Sequence, residues 1–183
     1  AASPGDPAAR GLIETMVGEG FATLRDKSLT KAASRARFRA LLQSNVALAD
    51  IGDRLIRRIR IEEKITPAQY SAYQAALPEF ILGAYADRLY DYDQAVVKVV
   101  RTIGRGPFTE VHTRVTRPGA QPVDAIWQVK RTPAGKLMVN NLVVSNINLT
   151  LTQEADFAAY AKKNGFDALV NFLKTSNGKR SPT

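Results

Sequence analysis

The sequence predicts an α+β fold: helices first, then an antiparallel twisted sheet of about four strands, then helices again, with the helices on one face of the sheet. Two observations carry this. Apolar residues recur every three or four positions from Ile13 to Leu89, then alternate from Gln94 onward, and return to helical spacing after Thr152. Turn chemistry, at Gly104-Arg105-Gly106-Pro107, Pro118-Gly119 and Pro133-Ala134-Gly135, divides the alternating part into strands too closely spaced for crossover helices.

Asp6-Pro7 reads as a helix start, and Ile13, Met16, Val17, Phe21 and Leu24 follow at helical spacing. A second helical region runs from Thr30 to Ile61 through Phe38, Leu41, Leu42, Val46, Ile51, Leu55 and Ile59, with a break near Ala49-Asp50 and Gly52. Its polar face is rich in arginine. Thr66-Pro67-Ala68-Gln69 is a capping box with proline in the first turn. The long apolar stripe Tyr70, Tyr73, Leu77, Phe80, Ile81, Tyr85 and Leu89 follows it, interrupted by Pro78, where a kink is expected.

Strands are expected at Gln94–Arg101, Phe108–Arg117, Val123–Arg131 and Leu137–Leu149, the last bent near Ser145-Asn146. Thr152 then caps a helix ending at Asn164-Gly165, and Asp167–Lys174 forms a last short one. Residues 1–175 read as a single domain and 176–183 as a flexible tail.

Of 183 residues, 45% are hydrophobic, and none is cysteine. Disulfides, thiolate catalysis and cysteine-ligated metals are thereby excluded. His112 is the single histidine and falls on the polar side of its strand, so neither a histidine-rich metal site nor a local Ser-His-Asp arrangement has support. No P-loop or dinucleotide fingerprint occurs. The net charge of +9 favours acidic partners or anionic surfaces. The aromatics lie beside apolar residues on helices, unlike the basic–aromatic interleaving of a single-strand binder, so nucleic acid is not expected as a partner.

The remaining candidates are the apolar faces. Leu77, Phe80, Ile81 and Tyr85 of the long helix, with Leu55, are expected to face Val97, Val99, Val111, Val115, Trp127, Val129, Leu142 and Val144 of the sheet. Such faces either fill a core or line an apolar pocket, and spacing alone does not distinguish the two. Tyr85 and Trp127, each a polar tip on an apolar body, suit a pocket mouth. An alternative is a small cone-fold isomerase or dehydratase with a pocket carboxylate as base. Another is a basic adaptor with a packed core.

The stretch Thr66–Tyr92, TPAQYSAYQAALPEFILGAYADRLYDY, resembles the central helix of the toluene-tolerance, MlaC-type family of periplasmic lipid-binding proteins. The likeness extends over about residues 10–175 and includes Asn141–Leu149 and the KNGFDAL segment Lys163–Leu169. The chain departs from the family pattern at Ile65 before the TP start, at Leu137, Asn141, Asn146 and Asn148, and at Pro78, which resembles a divergent branch. The resemblance implies a periplasmic carrier, its signal peptide removed, with no catalytic residues, metal or cofactor. It would act as a monomer and hold a phospholipid or hopanoid-like lipid by its tails between sheet and helices. The implied partners are an inner-membrane ABC transporter complex and an outer-membrane lipoprotein/porin complex.

Overall fold

A computed structural model describes residues 3–176, apart from the side chains of Ala86, Asp87 and Ser176. The tail expected at 176–183 lies outside the described residues from 177 onward. The order is α1 (Ala9–Arg25), α2 (Lys31–Asn45), α3 (Leu48–Leu55), α4 (Arg57–Glu62), α5 (Pro67–Leu89), a 3-10 turn (Tyr90–Tyr92), β1 (Val96–Arg105), β2 (Phe108–Thr116), β3 (Val123–Arg131), β4 (Leu137–Val144), β5 (Ile147–Asn148), α6 (Leu149–Asn164) and α7 (Phe166–Ser176).

The sheet is antiparallel in the order β1-β2-β3-β4-β5. It has one strand more than expected. Ser145 and Asn146 both adopt positive φ, at 50° and 68°, which closes a two-residue hairpin rather than bending one long strand. The chain returns as β5, and Asn148, not Thr152, caps α6 by accepting the Leu151 N–H at 3.0 Å. Asn141 ties this corner to β4, donating to Asn148 Oδ1 at 2.9 Å and accepting the Leu142 N–H at 2.8 Å.

The region 31–62 forms three helices. The first break is at Val46, which bridges in parallel to Val139 while the Ala47 N–H donates to the Val139 carbonyl at 2.9 Å. The capping box on α5 is complete: Thr66 Oγ1 accepts the Gln69 N–H at 3.1 Å and Gln69 Oε1 accepts the Thr66 N–H at 2.9 Å. Residues 67–89 form one helix with Pro78 inside it.

The long apolar helix was expected over the sheet. Instead α5 packs chiefly against α7 and α2, and also against α3, while α1 is the helix laid on β1 and β2. The cause is visible in α5 itself. Tyr73, Ala76, Leu77 and Phe80 are buried on one side of the helix and Leu82 on the opposite side, and a helix apolar on two sides sits among other helices. The first four join Leu55, Phe157, Phe166, Leu169 and Leu173 in one helical core, where the Phe80 ring lies 5.6 Å from Phe157 and 6.0 Å from Phe172, while Leu82 packs with Leu24 of α1 and Phe38 of α2. Polar contacts lock α3 to α5: Tyr73 donates to the Gly52 carbonyl at 2.7 Å, and Tyr70 to Asp53. A side chain at Gly52 would meet the Gln74 carboxamide at 2.8 Å, so glycine permits this close approach.

A candidate lipid-binding face

Strand registers place all the apolar strand candidates on one face. Val97 pairs with Val115, Val99 with Thr113, Val111 with Trp127, Trp127 with Leu142 and Ala125 with Val144. The period-2 alternation therefore carries through four strands despite a bulge in β1 between Val99 and Arg101 and an irregularity between Gln128 and Val129. The opposite face carries Lys98, Arg114, Asp124 and Lys130, and there His112 lies 3.2 Å from Glu110.

The apolar face divides into two halves. In the first, Val111 and Val129 are 0% exposed and pack with Leu137 and Val139 beneath Ala9 and Ile13 of α1. The N-terminal segment clamps this end. Asp6 accepts from Arg131 Nε at 2.6 Å and Nη2 at 3.1 Å, and its N–H donates to Thr109 Oγ1 at 2.8 Å. Asp6 thus serves the turn before α1, accepting the Ala8 N–H, while the helix itself begins at Ala9. The Arg131 guanidinium, then the Ala8 N–H, hold the Asp6 carboxyl below its ordinary pKa.

In the second half, Val97, Val115, Leu142 and Val144 are only half-buried and belong to none of the close-packed clusters among the described residues. Trp127 spans the two halves. Its ring touches the α1 cluster, and its indole N–H donates to Thr113 Oγ1 at 3.0 Å, which in turn donates to the Ala125 carbonyl at 2.8 Å. Its polar tip is satisfied within the sheet, not offered at a mouth.

The C-terminal end of α5 is tethered at this same end of the sheet. Arg117, just after β2, donates to the Asp91 carbonyl at 3.1 Å and stacks 4.3 Å from the Tyr92 ring centroid. Arg25 donates to the carbonyls of Asp93 and Ala95 at 2.7 and 3.1 Å. Tyr85 is 39% exposed and Leu89 37% exposed on the last turns of α5. Even so, the surroundings desolvate the Tyr85 hydroxyl and raise its pKa, with Asp156 adding to the rise and Arg88 opposing it.

The other named candidates sit differently. Leu55, Leu77 and Phe80 are buried within the helical core, and Ile81 packs against its edge. Among the described residues the buried acid is Glu154, 3% exposed, whose carboxylate accepts from Arg57 Nη2 at 3.1 and 3.2 Å with Arg58 Nε at 3.9 Å. Its oxygens are engaged by guanidinium groups rather than facing the half-covered apolar surface, so no observation favours a pocket base. Sequence reasoning did not find the Asn141–Asn148 corner or the Asp6–Arg131 clamp. The paired asparagines were the available signal for the first; nothing local announces a contact between residues 6 and 131.

Comparison with known proteins places this architecture. The family model described as MlaC protein matches residues 14–175. The chain belongs to the MlaC family. Among solved structures, the fold is similar to that of a phospholipid-binding protein from Ralstonia solanacearum, determined in complex with a phospholipid. The TM-score is 0.77 at 20% identity, over 93% of this chain and 97% of that one. At that identity the likeness is one of fold. Three of the positions expected to depart from the family pattern shape one corner: Asn146 lies in the last hairpin, Asn148 caps α6, and Asn141 donates to Asn148 Oδ1.

Proposed function

We propose that this MlaC-family chain is a lipid carrier that holds a phospholipid, or another apolar lipid such as a hopanoid, by its tails and performs no covalent chemistry. The observation that carries the reading is the half-covered apolar surface of Val97, Val115, Leu142 and Val144, with Tyr85 and Leu89 exposed at the same end. Half-covered valine and leucine in the middle of a sheet gain stability when something apolar covers them. Each buried methylene contributes roughly 0.8 kcal/mol, so two tails with about thirty methylenes would cost on the order of 20 kcal/mol to leave bare. A carrier needs apolar cover and few polar contacts, which suits this face.

Family membership and the phospholipid complex of the similar structure support the cargo class. The finer reading is a periplasmic, monomeric shuttle between an outer-membrane complex and an inner-membrane ABC transporter. No described helix is long and apolar enough to cross a membrane.

The test is native mass spectrometry of gently purified protein, followed by organic extraction and lipid analysis. A mass increment matching one or two lipids, recovered in the extract, is expected. Val115→Glu and Leu142→Glu should each abolish loading while leaving the protein folded. A bare protein mass with no uptake from offered vesicles overturns the carrier reading, and normal loading of both variants overturns this wall assignment.

A further inference from the structure

The two edges of the sheet are treated differently. The β4 edge is covered: Ala47 donates to the Val139 carbonyl, and β5 pairs with Val143 and Val144. At β1, the sheet's other edge, the chain supplies one bond among the described residues, from the Gly104 N–H to the Ser3 carbonyl at 2.6 Å. That bond shows the edge accepting a segment at its far end. Along Val96–Ile103, alternate N–H and C=O groups turn away from β2 with no chain partner among the described residues. Val96 and Val100 are 53% and 62% exposed on it.

Beside this edge runs a groove of about 360 Å³ between α1 and β1. Ile13, Val17 and Phe21, one helical face, form one wall, Val97 and Val99 the other, and Gly18 leaves it open. A helix and an open strand edge with a mainly apolar groove between them, lined also by Glu14 and Arg25, form a seat for an added strand. We propose that β1 and α1 bind an extended peptide segment of a partner protein as a further strand of the sheet. Alternation fixes its chemistry. Side chains on the inner face enter the groove and must be apolar. Those on the outer face stand beside Lys98 and Arg101, which have no ion pair among the described residues, and must be acidic.

A second copy fits poorly, because pairing β1 with β1 would set these cations against one another. An acyl chain would fill the groove yet leave the edge amides unpaired.

The test uses the full chain and two short synthetic peptides, one alternating valine with glutamate and one alternating valine with lysine. Amide NMR and hydrogen exchange should show the valine–glutamate peptide protecting β1 amides in residues 96–103, with the lysine peptide at least about tenfold weaker. Gly18→Leu should weaken binding by about tenfold or more, by filling the groove. A Cβ at Gly18 meets nothing within 4 Å and leucine favours helix, so this variant should fold, which its thermal unfolding checks. Lys98→Glu with Arg101→Glu should reverse the peptide preference. Lipid loading, read separately, should survive Lys98→Glu with Arg101→Glu, whose side chains lie on the opposite face from the lipid surface. The proposal is overturned by absence of peptide binding, by binding without β1 protection, by indifference to Gly18→Leu, or by dimerisation of the protein alone through β1. A lysophospholipid that shifts Val97 and Val99 in a Gly18→Leu-sensitive way, where the peptide does not, overturns it in favour of a lipid groove.

Discussion

Val111 and Val115 lie on one strand and one face, four residues apart, yet live in different surroundings. Val111 is 0% exposed beneath α1, and Val115 is half-buried outside the close-packed clusters. The difference comes from neither residue. Helix α1 covers one end of the sheet and is clamped there by Asp6, while α5, the more apolar helix, is drawn into the helical core. One end of the face has become core. The other retains the same residue types without the same cover. A binding surface of this kind is made by withholding a helix, not by adding special side chains.

The largest expected effect tests that contrast directly. Val111→Glu would bury a carboxylate with no partner and should destabilise the protein by at least about 4 kcal/mol, or prevent folding. Val115→Glu can turn its charge to solvent and should leave thermal unfolding within a few degrees of the parent, with lipid loading lost. Equal loss of fold in both would mean that the second half is ordinary core.

The next comparison uses truncation. Phe80→Ala in the helical core should cost about 3–5 kcal/mol in urea unfolding, because it removes a ring packed on Phe157 and Phe172. Leu142→Ala should cost about 2 kcal/mol or less, since the side chain is only half-buried and belongs to none of the close-packed clusters among the described residues. Delipidated protein is required, because a bound lipid stabilises the folded state by mass action and would mask the difference. Smaller still, Thr66→Ala removes the cap of α5 and should lower stability by about 1 kcal/mol without changing lipid loading. A loading defect there would show that the start of α5 bears on the lipid surface.

Much of this is legible in the sequence. Periodicity located the helices and the four long strands, and alternation put Val97, Val115, Trp127 and Val144 on one face, since side-chain direction in a strand is a local property. The capping box at Thr66 and the stop at Gly165 are local for the same reason. What escaped was which helix lies on the sheet. The stripe on α1 (Ile13, Met16, Val17) and that on α5 (Leu77, Phe80, Ile81) both read as core faces. Nothing in spacing says whether the opposing surface is a sheet or other helices. The last strand differs from the expected single strand because Ser145 and Asn146 leave the apolar pattern intact while their positive φ values reverse the chain.

The smallest effect concerns the clamp that makes the two halves unlike. Asp6 has a folded pKa below its ordinary value of 3.8, chiefly through its bonds from Arg131 and then from the Ala8 N–H. A depressed carboxyl contributes stability that is fully present above the unfolded value and is lost as pH falls through the lower folded value. At neutral pH, Asp6→Asn should therefore be slightly less stable than the parent, and the gap should close below about pH 4. Because the clamp fastens α1 to the packed end of the sheet, amide protection factors, corrected for the intrinsic rate at each pH, should fall first in the first turns of α1 and around Thr109 on acidification. Amides of α5 and α7, held by the helical core, should keep their protection over that window. If α1 and α5 lose protection together in parent and variant alike, the covered end does not depend on Asp6, and α1 is held there by its apolar contacts alone.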